Sequence, residues 1–450
     1  MAGALGRGIV RRLTRQAARV KSHVVWSGVE AASSALFSVA ASFLIARLIG
    51  PAELGIGAAA ASVHVLLWVA VNALFADALV QRPEVGDDVA SSAFWASVVV
   101  GMAAMPVQVV SGFVLARLLH DERLVLMGWL LALPLPLVGA GGPIQGLLTR
   151  ARGYRALAAR TILGHGAGAI AGVVVALRGG GSWAPVVQLA VTSLVGAATL
   201  LGSADWRPHW VWHWPATRAL LSVGLPLTAS TLVQLGRYRL FAVMIGGTAG
   251  PAALGQVHVA FRLVDTIREL AFTALWRLML PILAEQQHDR TRLLATVDRL
   301  LRRSSQLMLP LCGVLALGLV PLVALVLGPN WAAAGHAALP LVGLMALLSL
   351  MFPSGVALIA AGQARLVLYA NLAGLAATGA GVLLFHPVDP WQAVLVWCSG
   401  QLFVSPFALW TNGRALGVGP MRPLRAGAAM FAVTLLAALV GRALYGVVPD

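Results

Sequence analysis

The chain has 450 residues, 59% of them hydrophobic and only 11% charged, with a net charge of +16. Its mean hydropathy is +0.85. Soluble domains carry roughly 25% charged residues, so this composition excludes a water-soluble globular fold. Apolar runs of about 20 residues, enough to cross a hydrocarbon core of roughly 30 Å, recur from end to end and predict an all-α integral membrane protein.

The charge does not mark a nucleic-acid binder, because the basic residues sit in short loops between apolar runs. Residues 1–21 carry Arg7, Arg11, Arg12, Arg15, Arg19 and the only lysine, Lys21. Further apolar runs follow at once, so this segment reads as a cytoplasmic basic tail near anionic lipid rather than a cleavable leader. The expected spans are 22–48, 55–81, 89–119, 124–147, 155–177 and 183–203, then 219–246, 254–283, 303–327, 336–361, 366–386, 390–411 and 424–447. The count lies between 12 and 14 helices, with 13 preferred and the last run the least clear as a separate crossing. Arg82, Arg150, Arg152, Arg155, Arg160, Arg207, Arg218 and the arginines of 284–303 fall on one side of this pattern, together with the tail. Arg47, Arg117, Arg123, Arg178 and Arg442 fall on the other. That excess places the N-terminus in the cytoplasm.

The two cysteines, Cys312 and Cys398, lie inside apolar runs and form no metal or disulfide pattern. No P-loop is present, so ATP hydrolysis is not expected of this chain, nor is any cofactor. Between the sixth and seventh runs stands "SADWRPHWVWHWPATR", whose four tryptophans fit a membrane-interface segment. Its His209 and His213, spaced i,i+4, lack further ligands for a metal.

A repeat organises the chain. "GPAELG" at Gly50–Gly55 joins the first two runs, and "GPAALG" at Gly250–Gly255 joins the seventh and eighth. "GYR" at Gly153–Arg155 and "GQAR" at Gly362–Arg365 open the fifth and eleventh runs, and Trp183 and Trp391 open the sixth and twelfth. Landmarks in matched order predict two lobes of the same membrane orientation, with Pro and Gly ending one helix and starting the next at each hexapeptide. The expected division is a tail at 1–21, an N-terminal six-helix lobe at 22–203, a Trp-rich linker at 204–218, a C-terminal six-helix lobe at 219–411 and an additional helix within 412–450.

Ionisable groups inside the runs are costly and mark cavities or partners. Arg237, Arg239, Arg262, Arg268 and Arg277 are such groups. On an ideal helix His258, Arg262, Asp265 and Glu269 form one stripe, flanked by Arg268. Two readings stand: an internal Arg262–Asp265 ion pair that holds the bundle, or a stripe lining a hydrated cavity. Gln234, Arg237 and Tyr238 share a face, whereas Arg239 points about 200° away from Arg237. Either Arg237 or Arg239 faces the cavity, and the polar companions favour Arg237. The first half is poorer, with Glu30 and Asp77 as its carboxylates. Arg47, before the first hexapeptide, is either an interfacial snorkeller or a gate contact for an anion. A cationic cavity suits an anionic amphiphile, because Arg can bind phosphate oxygens bidentately. The candidate binding set is Arg237, Arg262, Arg268, Gln234, His258, Tyr238 and Arg47, and the ion-coupling candidates are Asp265, Glu269, Glu30 and Asp77.

"LIARLIGPAELGIGAAAASVHVLLWVAVNALFADALVQRPE" resembles the first two spans of polysaccharide (O-antigen or exopolysaccharide) flippases in the multidrug/oligosaccharidyl-lipid/polysaccharide exporter superfamily. "GGGSWAPVVQLAV" and "ALLSVGLPLTASTLVQLGRYRLFAVMIGGTAGPAALGQVHVAFRLVD" are similar to that family's mid-chain pattern, and the resemblance runs from about residue 22 to 411. Where the family commonly has an aromatic after the turn, Ile56 and Gln256 stand here. The resemblance implies two six-helix lobes forming a V, alternating access and export of undecaprenyl-diphosphate-linked oligosaccharides for surface polysaccharide synthesis. The implied partners are that polyprenyl-diphosphate-linked oligosaccharide and membrane lipid, with a polymerase and a chain-length regulator of the same pathway, and no nucleic acid. A drug/cation antiporter of the same fold is the alternative, although it would be expected to have a carboxylate-dominated cavity. A membrane glycosyltransferase or polymerase is disfavoured by outer loops of about 15 residues or fewer, too short for catalytic acids.

Overall fold

The computed structural model describes residues 2–286, 289–360 and 364–416. All regular structure among them is helical: α1 (Ala2–Gln81), α2 (Asp87–Leu119), α3 (Arg123–Ala132), α4 (Leu135–Arg150), α5 (Tyr154–Leu177), α6 (Trp183–Ser203), α7 (Trp214–Glu285), α8 (Arg290–Leu327), α9 (Ala332–Ala360), α10 (Ala364–Phe385) and α11 (Pro390–Leu416). Among the described residues, eight helices are long and apolar enough to cross a membrane, Arg123–Arg150 counting as one. The run from 124 to 147 is thus two helices, interrupted where Pro134 and Pro136 remove backbone donors. The run from 424 to 447 lies outside the described residues.

The hexapeptides are corners. α1 departs from helical geometry at Gly50 (φ 78°, ψ 172°) and α7 at Gly250 (φ 83°, ψ 170°). Those dihedrals belong to a region reserved for glycine. Pro51 and Pro251 then open the following arm, where a missing N–H costs nothing because no carbonyl precedes it in the new helix. The closing glycines have a different reason. A Cβ on Gly55 would strike the carbonyl oxygen of Pro251, and one on Gly255 would strike that of Pro51. The two corners therefore meet backbone to backbone, reciprocally.

By contacts the chain forms two compact units. The first runs to Ile49 and resumes over Ile56–Gly236; the second holds Gly50–Gly55 and continues from Arg237. Within the first, α5 lays Gly164, Gly168 and Gly172 against α6, where any side chain would run into Thr192 or Gln188. Small residues four apart allow this approach, which substitutes dispersion for the hydrophobic driving force absent in lipid. The Trp-rich linker docks on the start of α2. His209 bonds Ser91 Oγ through Nδ1 at 3.0 Å and Asp88 through Nε2 at 2.9 Å. Trp95 Nε1 donates to the His209 carbonyl at 3.0 Å, and its ring meets Trp210 at 4.4 Å. Beyond the linker, the opening arm of α7 packs Leu220 with Leu74, Phe75 and Ala93.

The second unit is built around Phe241, Ile245, Val257, Phe261, Met345 and Trp397, with Cys312 and Cys398 buried in the same cluster as free thiols. α8 is 38 residues long, or roughly 57 Å at 1.5 Å per residue, well beyond a bilayer's apolar thickness. Its opening turns are amphipathic. Leu293 and Val297 pack with Met279 and Leu283, while Arg292, Arg299, Arg302 and Arg303 are exposed. Asp289 caps it, accepting from Arg292 N at 3.0 Å.

Candidate functional site

Arg237, Arg239, Arg262, Asp265 and Arg268 of α7 lie in the second unit. Arg237 donates from Nη1 to Gln401 Oε1 at 2.8 Å, and its guanidinium stands 4.9 Å from the centre of the Trp397 ring. Gln401 and Trp397 are one helical turn apart on α11, so a single face supplies both the acceptor and the aromatic floor. Gly374 of α10 lies close, and a Cβ there would come to 3.1 Å from Arg237 Nη1. Under the guanidinium, Trp397 packs edge-on to Phe261 at 5.1 Å, and Tyr238 tilts against Phe261 at 4.8 Å. This aromatic block fixes the indole, and the indole and carboxamide fix the plane of the guanidinium.

Tyr238 hydroxyl and His258 Nδ1 share a hydrogen bond of 3.1 Å. Arg239 stacks over Tyr238 at 5.5 Å. The neighbouring arginines thus have separate roles: Arg237 reaches across to α11, and Arg239 stays on its own helix. On the stripe, Asp265 pairs with Arg268 at 2.8 Å. Arg262 is half-buried one turn before, its carbonyl accepting from Thr266 at 2.6 Å. Glu269 is exposed.

Arg47, Asp77 and Gln234 belong to the first unit and are exposed. The side chains of Glu30 and Arg277 lie outside the described residues. Sequence reading missed Gln401 and Trp397, because their partner stands 164 residues away for the hydrogen bond. A glutamine one turn from a tryptophan inside an apolar run was the available signal. It missed more in the first unit. Arg160, counted with the loops, lies within α5, where it donates to Gln145 Oε1 at 2.7 Å and stands 5.6 Å from the Trp68 ring centre. His64 is fully buried and meets Ser193 Oγ at 3.4 Å.

Helices long and apolar enough to span a bilayer, in two compact units, define a multi-pass α-helical membrane protein. The chain belongs to the polysaccharide biosynthesis protein family, which it matches over residues 44–335. It is 25% identical over 305 residues to the succinoglycan biosynthesis transport protein ExoT of Rhizobium meliloti (strain 1021), covering 68% of this chain and 61% of that protein. It is 24% identical over 340 residues to the teichuronic acid biosynthesis protein TuaB of Bacillus subtilis (strain 168), covering 71% and 65%. In both, the chain spans less than two thirds of the relative. In fold it is similar to the lipid II flippase MurJ in an inward closed conformation, with a TM-score of 0.73 and 10% identity over 94% of this chain and 98% of that one.

Proposed function

We propose that this protein is a secondary transporter that moves polyprenyl-diphosphate-linked oligosaccharide units across the bacterial cytoplasmic membrane by alternating access, for cell-surface polysaccharide synthesis. The observation that carries the reading is Arg237: a guanidinium at membrane depth, oriented by Gln401 and seated on Trp397. Both contacts are neutral, so they aim the cation without cancelling its charge, and an oriented guanidinium is suited to a phosphate oxygen pair. Arg262 and Arg268 add positive charge on the next arm, and Tyr238 and His258 offer hydroxyl and imidazole to a sugar. The lipid tail stays in the bilayer. The relatives named for succinoglycan and teichuronic acid biosynthesis fit this cargo class. Asp265 and Glu269 are the candidates for coupling to H⁺ or Na⁺, and a polymerase and chain-length regulator are the expected pathway partners. The excess of arginine on one side of the apolar runs supports an N-terminus in the cytoplasm.

A drug/cation antiporter is less well supported, because Asp265 is already tied to Arg268 and Arg237 would repel a cationic drug. The deciding experiment is deletion of the gene, followed by measurement of lipid-linked repeat units in the inner leaflet and of polymer outside the cell. Accumulation inside with loss outside, reversed by the wild-type gene but not by Arg237→Ala at equal abundance, is expected. Normal polymer in the deletion strain, with sensitivity to cationic drugs instead, would overturn the reading.

A further inference from the structure

Away from the arginines of α7, the turn between α2 and α3 in the first unit holds a groove of about 980 Å³. Gly112 and Gly128 bring the two helices together, since a Cβ on Gly112 would come to 3.1 Å from Gly128 Cα. Phe113, Arg117 and His120 follow i, i+4, i+7 at the end of α2 and so share a face. Glu122 and Leu126 follow i, i+4 at the start of α3, and all five residues line the groove. Phe113 and Leu126 are exposed, as are Val110 on α2 and Trp129 on α3, farther from the turn. Both helices belong to spans long and apolar enough to cross a bilayer. The groove therefore has an apolar end continuous with the lipid-facing surface and a charged end at the turn. At the charged end Arg123 is held by Asp121 through Nη2 at 2.7 Å. Arg117 and Glu122 are different. Both are exposed, and neither has a side-chain bond or ion pair among the described residues. They line one groove without meeting each other.

We propose that this groove binds a zwitterionic phospholipid, phosphatidylethanolamine, with its phosphate on Arg117, its ammonium on Glu122 and an acyl chain along Phe113 and Leu126. A guanidinium takes phosphate oxygens through paired N–H donors, and a carboxylate accepts from an ammonium. Helix ends favour these signs, a cation in the last turn of α2 and an anion at the start of α3. That preference would be met by charges pointing anywhere into water, whereas here both signs line a single groove. An Arg–Glu pair closed on itself would need no ligand. Held apart, the two leave one charge of each sign, which is the complement of the ethanolamine headgroup. A groove lined by cations alone would select an anionic lipid; Glu122 repels such a headgroup and gives the ammonium its partner. The apolar end selects a lipid over a soluble amino phosphate. The site lies in the first unit and is independent of the transport reading.

The test uses the purified, delipidated full-length protein in detergent. Dioleoyl phosphatidylethanolamine and dioleoyl phosphatidylglycerol are the probes, and equilibrium binding is read by native mass spectrometry. Wild type is expected to bind the ethanolamine lipid about fivefold more tightly, the worth of one exposed ion pair, since only that lipid presents an ammonium. Arg117→Gln should weaken both lipids about tenfold, because both carry the phosphate. Glu122→Gln should abolish the preference, weakening the ethanolamine lipid and leaving the glycerol lipid unchanged or tighter. Both substitutions are at exposed positions, and thermal unfolding without added lipid verifies that each variant keeps the fold. Equal affinity of wild type for the two lipids overturns the proposal, as does a preference that survives in Glu122→Gln or unchanged binding in Arg117→Gln. Tighter binding of the glycerol lipid by wild type also overturns it, in favour of a site selective for anionic lipid.

Discussion

The chemistry turns on how a few side chains hold a cation without neutralising it. Arg237→Ala removes the charge, and export of lipid-linked units is expected to fall tenfold or more, as loss of about 1.5–3 kcal/mol of charge-assisted bonding implies. Arg237→Lys should recover only part, since an ammonium cannot present a planar fork to a phosphate or stack as flatly on Trp397. Gln401→Leu keeps the cation but frees its plane, so a loss of severalfold is expected, with protein abundance unchanged by immunoblot. Equal export by wild type and Gln401→Leu would show that the 2.8 Å bond orients nothing that matters. Outside the spans, Arg123 holds Asp121 through its Nε and Nη2, and this bonding lowers the Asp121 pKa below its ordinary 3.8. A depressed folded-state pKa stabilises above the unfolded value and is lost as pH falls through the folded one. Acid titration of the melting temperature should therefore show less loss below pH 4 in Asp121→Asn than in wild type, from a slightly lower start.

Among the elements, the corners were the most legible feature in the sequence, because Gly-Pro has few conformational uses and both copies carry it. Gly50→Ala and Gly250→Ala place a Cβ at φ near +80°, which costs roughly 1–3 kcal/mol each, and both should lower the apparent melting temperature. Gly236 is the control. It is helical, and a Cβ there meets nothing within 4 Å, so Gly236→Ala should raise stability by roughly 0.5–1 kcal/mol. If the three substitutions shift melting in the same direction, the corners are not strained. What the sequence hid was contact between distant elements. The reciprocal approach of Gly55 and Gly255, and the Gly164–Gly168–Gly172 ridge against α6, depend on which helices cross. Periodicity says that a residue lies on a face, but not which helix that face meets. For the same reason the Trp-rich linker read only as an interface segment, and its docking through His209 to Asp88 and Ser91 was not visible.

At the level of the molecule, fold class and chain order followed from composition alone, since about 20-residue apolar runs admit almost no other solution than helices. The site was half legible. The arginines announced themselves by their cost in lipid, whereas Trp397, Gln401, Gln145 and Trp68 are residue types common in apolar runs and became informative only once a guanidinium was found on them. Charge also carries the orientation, and labelling can test it cleanly because both native thiols are buried, Cys312 at 2% and Cys398 at 6% exposure. A membrane-impermeant maleimide should leave the wild-type protein unmodified. Arg299→Cys, on the exposed basic face of α8, and Asp121→Cys, in the short turn after α2, then report opposite ends of their helices. With the N-terminus in the cytoplasm, Asp121→Cys reacts in intact spheroplasts and Arg299→Cys only in inverted vesicles. The reverse pattern would invert the topology, moving Arg160, near the start of α5, from the cytoplasmic to the outer end of the first unit. Labelling of both positions from one side would mean that the number of crossings between them is even, which would break the run pattern from 124 to 283 and with it the two-lobe repeat.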